Sequence, residues 1–153
     1  MISGTSIDYS GRLVDLSFFP DVRSSGTPGK MTVDGQAKVT AGVSKAIQGF
    51  VMSLLTPAGA NIEDPQMGTN FAAKMSVGSV RYPSDIAQIF AIEASRAVDW
   101  WNLNSKTRPL DEQIGSVNLV SQQVGSTSMT LSVSLSSRSG TDISFLIPVG
   151  WSN

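Results

Sequence analysis

Residues 129–137 read MTLSVSLSS, and apolar and hydroxyl side chains alternate along the stretch up to its final serine pair. Successive side chains of a β-strand point to opposite faces, so the pattern predicts a strand with one buried face and one hydroxyl-rich face. The turn-forming residues SRSG follow at 137–140, and residues 143–149 alternate again. Upstream, residues 114–122 predict a third, less regular strand. We therefore expect a three-stranded antiparallel meander in the last third of the chain.

Residues 40–56 have the period of an amphipathic helix. Pro57 lacks an N–H and disfavours helical geometry at Thr56, so the predicted helix ends there. The apolar positions repeat at i, i+4, i+7 and i+8, and they are Val43, Ile47, Phe50, Val51, Leu54 and Leu55.

A second long helix is predicted from Ser84, as the N-cap, to about Asn104, with Asp85 in its first turn. Between the two long helices, residues 68–77 predict a short helix. Three antiparallel strands need an apolar partner to be stable. The sequence therefore predicts an α+β fold, in which two long amphipathic helices and a short one pack on one face of the meander.

The first 40 residues consist of short apolar pieces separated by turn-forming residues. RLVDLSFFPD at 12–21 and KMTVDG at 30–35 predict two short strands. We interpret residues 1–40 as an extended arm that either adds to the sheet or reaches a neighbouring chain. Residues 41–153 form a single predicted domain.

The composition argues against several classes of function. Of the 153 residues only 15% are charged, the net charge is −1, and no basic cluster is present, so nucleic-acid binding is not expected. Histidine and cysteine are both absent, which removes imidazole, thiol and Cys/His zinc chemistry. No apolar run approaches the ~20 residues of a membrane span, and the amino-terminal residues do not resemble a signal peptide. We expect no cofactor and no membrane partner.

Candidate catalytic groups are few. Paired carboxylates could hydrolyse a glycosidic bond, and the available acids are Glu63, Asp64, Glu93 and the pair at 111–112. Glu93 falls within the apolar stripe of the second long helix, where a lone carboxylate would be costly to bury. The simplest interpretation is a surface ion pair with Arg96 at the edge of the stripe. A subunit contact or a catalytic role is the alternative.

Trp100 and Trp101 stand together at the end of the same helix. They could form a sugar platform. More simply, one ring belongs to the core and the other to a contact between helix and sheet or between subunits.

The order of elements and the loop between the helices resemble a known family. The loop carries Leu55-Thr56-x-x-Gly59, then Pro65-x-x-Gly68-x-x-Phe71. With a helix before it and a long helix and meander after it, residues 36–149 resemble the small wedge subunit of contractile-tail baseplates. That family is called GPW-type or lysozyme-like, and a related subunit occurs in type VI secretion baseplates.

Two positions depart from the family pattern. Ala60-Asn61 stand where the family usually has Glu-Arg after the first glycine. Its Glu-Pro-Arg motif before the first strand is replaced by a segment in which Arg108 precedes Pro109 and the acid is displaced to Glu112. By the resemblance, Arg108 and Glu112 could do the work of that motif.

The resemblance implies a structural, non-enzymatic role in a phage tail baseplate, assembled in the host cytoplasm, with several copies in each virion. Such subunits link wedge proteins and help sheath assembly to begin from their carboxyl-terminal sheet. An open strand edge would allow strand addition by another chain. The alternatives are a muralytic hydrolase and another tail protein such as a terminator or adaptor. The residues expected to bind partners are Met129, Leu131, Val133, Ile143, Phe145, Ile147, Glu93, Arg108 and Glu112.

Overall fold

The computed structural model describes residues 15–17, 38–40, 42–76, 80, 82–103, 107–126 and 128–150. It confirms the predicted α+β class, with helices and a carboxyl-terminal three-stranded antiparallel sheet. The helices are α1 (Val43–Leu55), α2 (Phe71–Ser76) and α3 (Pro83–Asn102). The sheet contains the strands β3 (Ile114–Val124), β4 (Ser128–Ser137) and β5 (Asp142–Gly150), numbered after two short amino-terminal strands. None of the described helices combines the length and the apolarity needed to cross a membrane.

The strand order is β3-β4-β5, so β4 is central and β3 and β5 are the edges. Gly140 at φ +89° closes the β4–β5 hairpin. Its N–H donates to the Ser137 carbonyl at 3.1 Å, and the Ser137 N–H donates to the Thr141 carbonyl at 2.9 Å. This arrangement is a three-residue loop with a glycine bulge, which suits the right-handed twist of the strands.

The apolar face of the sheet packs against the helices. The apolar residues of β4 are fully buried, and they share one core with the apolar faces of α1 and α3. Phe50 of α1 meets Phe145 of β5 edge to face, with ring centroids 6.4 Å apart. The alternate residues of β4, mostly serines, lie half-buried on the opposite face. The period-two pattern therefore assigned the faces of this strand correctly.

The first helix ends where Pro57 was predicted to end it. Thr56 is the C-cap in an extended conformation, as expected for a residue before proline. Its N–H and its hydroxyl both donate to the Met52 carbonyl, at 3.0 Å and 2.6 Å.

The start of α3 differs from the prediction. Tyr82, not Ser84, is the N-cap, and Pro83 is the first helical residue. Proline is favoured there because its fixed φ suits the helix and its missing N–H would have no partner. The Tyr82 N–H donates to the Asp85 carboxylate at 2.9 Å, so Asp85 does lie in the first turn as expected. The helix ends at Asn102, and Asn104 lies outside the described residues.

A close contact between α1 and α3 depends on Gly49. This residue is buried, and a Cβ atom built on it would collide with the ring of Trp101. Trp101 is held in place from its other side, because its indole N–H donates to the Glu112 carbonyl at 2.7 Å. Only glycine lets the two helices approach this closely.

The amino-terminal region contains a small sheet of its own. Strand β1 (Asp15–Ser17) pairs antiparallel with β2 (Lys38–Thr40), separately from the three-stranded sheet, and β1 contacts α1. The strand expected within 12–21 is thus present at 15–17. The strand expected at 30–35 lies outside the described residues.

We predict that Gly49→Ala destabilises the protein, although alanine normally stabilises a helix relative to glycine. The added methyl group overpacks the contact with Trp101, at a cost of roughly 1–3 kcal/mol. Urea denaturation of the single variants and of Gly49→Ala combined with Trp101→Leu measures the effect. A Gly49→Ala penalty that is undiminished in the Trp101→Leu background would contradict the proposed collision.

Candidate interaction surface

The six sheet residues expected to bind partners are all in the core. Their side chains are at most 7% exposed and face the helices, so a partner could not contact them in the folded subunit. The prediction correctly assigned them to one apolar face but wrongly treated that face as available. What β5 can offer to another chain is its backbone edge. The six residues are Met129, Leu131, Val133, Ile143, Phe145 and Ile147.

The register of β5 against β4 determines which backbone groups of β5 point away from the sheet. Ser137 and Thr141 are bonded across the hairpin, and Leu135 pairs with Ile143. Since hydrogen-bonded and non-hydrogen-bonded pairs alternate in an antiparallel ladder, the odd-numbered residues of β5 bond to β4. The even-numbered residues direct their N–H and C=O groups away from it. We call these outward groups of Asp142, Ser144, Leu146, Pro148 and Gly150 the β5 edge.

Among the described parts of the chain, no strand pairs with the β5 edge. Pro148 lies at a position whose N–H would point outward, so it removes no bond from the ladder to β4. Of the side chains on this edge, only Asp142 is charged, and it accepts a hydrogen bond from the Ser136 hydroxyl. Natural edge strands are commonly protected by lysines or inward-pointing charges. Proline on an edge has the same effect, so the β5 edge is protected at Asp142 and Pro148 but not at Ser144 or Leu146.

Glu93 is buried, which corrects the expectation of a surface ion pair. Its side chain is 0% exposed. One carboxylate oxygen accepts from the Lys74 ammonium at 2.6 Å, and the other accepts from the Asn70 N–H at 2.9 Å. The expected partner Arg96 is present but farther away, at 3.5 Å. Glu93 therefore ties α3 to α2 and to the segment before it, and its side chain is not free for a partner.

The environment of Glu93 favours the charged carboxylate. Burial by itself raises the pKa of Glu93. The hydrogen bonds from Lys74 and Asn70 and the positive charges of Arg96 and Lys74 outweigh burial, and the pKa lies below its ordinary value of 4.5. A lowered pKa in the folded state means that the carboxylate stabilises the fold fully above pH 4.5. This stabilisation is lost as the pH falls through the lowered pKa.

We predict that Glu93→Gln destabilises the protein by about 2 kcal/mol at pH 7, because a buried charged hydrogen-bond acceptor is lost. The difference from the wild type should shrink as the pH falls below 4.5, because Glu93 is protonated first in the unfolded chain and then, as the pH passes the lowered pKa, in the folded protein. Urea denaturation at several pH values between 7 and 3 measures both effects. A stability difference that does not change over this range would show that the charge of Glu93 is unimportant.

Arg108 and Glu112 lie where α1, α3 and the sheet meet. The buried carboxylate of Glu112 accepts from the Gly42 N–H at 3.1 Å and lies 3.5 Å from the Lys45 ammonium. The Arg108 guanidinium stacks 3.7 Å from the Trp101 ring centroid. Burial lowers the pKa of Arg108, and the Glu112 charge opposes that shift. Both residues join elements within the subunit, and of the two only Arg108 is partly exposed.

The segment between α1 and α2, residues 56–70, forms a closed loop that we call the connector. Its two ends pair through a parallel bridge between Pro57 and Thr69. The Ala58 N–H donates to the Thr69 carbonyl at 3.0 Å, and the Thr69 N–H donates to the Thr56 carbonyl at 2.9 Å. The buried Thr69 hydroxyl also donates to the Leu54 carbonyl at 2.6 Å and accepts from the Phe71 N–H. The sequence motif did not indicate this role of Thr69.

The tip of the connector is also ordered by side chains. The Asn61 carboxamide oxygen accepts from the N–H groups of Glu63 and Asp64 at 3.1 Å and 3.3 Å. The Asp64 carboxylate accepts from the Trp100 indole N–H at 2.7 Å, which fixes the loop to α3. Trp101 is thus the predicted core ring, whereas Trp100 contacts the connector. Ile62 stands 92% exposed at the tip.

The two glycines of the motif have different roles. Gly59 has φ +77° and no atom near the position of a Cβ, whereas Gly68 has φ +104° and would place a Cβ 2.6 Å from the Pro57 carbonyl oxygen. Gly59 thus provides a left-handed turn. Gly68 provides that freedom and also the close approach of the two loop ends.

We predict that Gly68→Ala destabilises the protein by more than about 2 kcal/mol, because backbone strain and a steric clash add together. Gly59→Ala is the matched control, with a cost of about 1 kcal/mol from backbone strain alone. Thermal denaturation of both variants gives the comparison. Equal costs at the two positions would refute the role assigned to Gly68.

The described residues contain no group of three acidic side chains placed to hold a metal ion. Comparison of the sequence and the structure with known proteins found no matching family model, no matching curated protein and no matching solved structure.

Proposed function

We propose that this chain is a non-catalytic structural subunit of a contractile phage tail. In this proposal it belongs to the baseplate wedge, links other wedge proteins and helps sheath assembly to begin through its carboxyl-terminal sheet. It would be present in several copies in each virion. The observation that carries the proposal is the β5 edge, which carries little charge and pairs with no other strand in the part of the chain that the structure describes.

The backbone of the β5 edge is suited to strand addition. Four of its five residues offer both an outward N–H and an outward C=O, and Pro148 offers only the C=O. Each hydrogen bond to an added strand contributes about 0.5–1.5 kcal/mol, so a few residues of pairing supply useful affinity. The core side chains of β5 hold the strand in place, and one of them, Phe145, packs against Phe50 of α1. This rigid presentation lowers the entropic cost of binding.

The connector supports the same proposal. It carries the Leu-Thr-x-x-Gly and Pro-x-x-Gly spacing on which the resemblance to wedge subunits rests. It is closed by backbone bonds and fixed to α3, and it exposes Ile62 at its tip. A rigid loop with an exposed apolar tip is a suitable contact for a neighbouring protein.

The acidic residues give little support to the muralytic alternative. Glu93 and Asp64 are held by hydrogen bonds within the subunit. The pKa of Glu93 is lowered, whereas the general acid of a glycosidase needs a raised pKa. Glu63 is exposed in the connector.

We predict that Ser144→Pro weakens binding of the chain to the sheath protein of the same particle by up to about tenfold. The substitution removes one outward N–H from the β5 edge and, as at Pro148, leaves the ladder to β4 intact. Ser144→Ala is the matched control, because it changes the side chain at the same position and keeps the N–H. Co-sedimentation with purified sheath protein measures binding, and circular dichroism checks the fold.

Equal binding by the Pro and Ala variants would contradict the use of the β5 edge. The non-catalytic part of the proposal has a separate test in a cell-wall clearing assay. Clearing that disappears in Glu63→Gln or Glu93→Gln would overturn it.

A further inference from the structure

A groove of about 340 Å³ lies between α3 and β3, on the side of the sheet opposite β5. Its walls carry small side chains, among them Ala91, Ala94 and Ser95 from α3 and Gly115 from β3. Val98 and Val117 form apolar parts of the lining and are only partly buried. Asp99 contributes the one charged side chain.

Among the described strands, none pairs with the outer edge of β3, the strand beside this groove. The Gly125 N–H donates to the Ser128 carbonyl, so the even-numbered residues of β4 bond toward β3. Val117 and Leu119 pair with the odd-numbered Leu135 and Val133, and they therefore direct their N–H and C=O groups outward. Their side chains lie on the helix-covered face, as do those of their partners. Residues of an added strand opposite them would point into the groove.

Side-chain amides connect both ends of this edge to α3. At one end the Asn102 carboxamide donates to the Ile114 carbonyl at 2.9 Å and accepts from the Ile114 N–H at 3.1 Å. This two-point contact is the one that a peptide group of an added strand would make. At the other end the Gln122 amide donates to the Pro83 carbonyl at 3.3 Å. The backbone edge of β3 is thus closed by Asn102 at Ile114, whereas at the other end Gln122 links β3 to the start of α3.

We propose that this groove binds a short extended segment of another protein, which adds to β3 as an antiparallel strand. The outward groups of Val117 and Leu119 supply backbone pairing, as in other peptide sites between an edge strand and a helix. The small residues of α3 admit short apolar side chains at alternate positions of the peptide. Asp99 lies toward the start of β3, so it selects a Lys or Arg near the carboxyl end of an antiparallel peptide.

This site is separate from the β5 edge and does not depend on the proposed function. It uses the other edge of the same sheet, beside the groove lined by α3 and β3. Its occupant is defined by backbone pairing and small alternate side chains. A second copy of this chain is a different occupant, which the experiment distinguishes.

The experiment selects heptapeptides from a random display library against the folded full chain, and then synthesises the most enriched peptide. Isothermal titration compares its affinity for the wild type, Ser95→Trp and Met52→Trp. Ser95→Trp fills the groove from an exposed position, and Met52→Trp places the same ring on the exposed surface of α1 as a control. We expect at least a tenfold loss of affinity for Ser95→Trp and no change for Met52→Trp.

Two further measurements test the mode of binding. Two peptides are compared, one methylated at its odd-numbered backbone nitrogens and one at its even-numbered nitrogens. One of them should bind at least tenfold more weakly, because the N–H groups of that set pair with β3. Asp99→Asn should weaken binding two- to fivefold for a peptide with a basic residue near its carboxyl end. Ser144→Pro should leave peptide binding unchanged, so that failure here and failure at the β5 edge can be told apart.

The proposal is overturned if the library yields no binder, or if the selected peptide is insensitive to Ser95→Trp or to both patterns of nitrogen methylation. Self-association of the chain that Ser95→Trp abolishes would also overturn it, because the occupant would then be a second copy.

Discussion

The burial of one face of β4 under α1 and α3 is the constraint on which the rest of the structure depends. The apolar side chains of this central strand are fully buried, and its backbone is used on both sides by β3 and β5. A sheet of three strands with β4 in the middle necessarily leaves two edges. The core therefore creates both surfaces on which the functional proposals rest.

The chain has few charged residues, and the carboxylates of Glu93 and Glu112 connect secondary-structure elements within the subunit. Glu93 joins α3 to α2, and Glu112 joins the start of α1 to the start of the sheet. Each is buried, and each accepts a backbone N–H as well as facing a lysine. A buried carboxylate with this many donors fixes orientation. These contacts position the helices whose apolar faces complete the core, and they leave the exterior mostly polar and uncharged.

Local periodicity was enough to predict α1, β4 and β5, because the spacing of apolar residues along the sequence shows which face of a helix or a strand is apolar. The sequence also predicted that the helices pack on one face of the sheet. It did not show how completely they cover that face, because coverage depends on contacts between residues distant in sequence, and six core residues were also taken for partner contacts. Glu93 was misplaced for a similar reason. Its main partners, Lys74 and Asn70, are distant in sequence, and only Arg96 was visible as a neighbour in the helical pattern. The start of α3 was predicted too late in the chain, because the preference of Ser84 for the N-cap was given more weight than the preference of Pro83 for the first helical position.

Pro148 has a consequence for any chain that joins β5. An incoming strand that extended past Leu146 would leave one of its carbonyls facing a ring nitrogen without hydrogen, and an unsatisfied carbonyl is unfavourable once water is excluded. Pairing with an added strand is therefore favoured only over the first half of β5. Registers in which the added strand extends past Leu146 are disfavoured. A short pairing with a defined end selects one register among several.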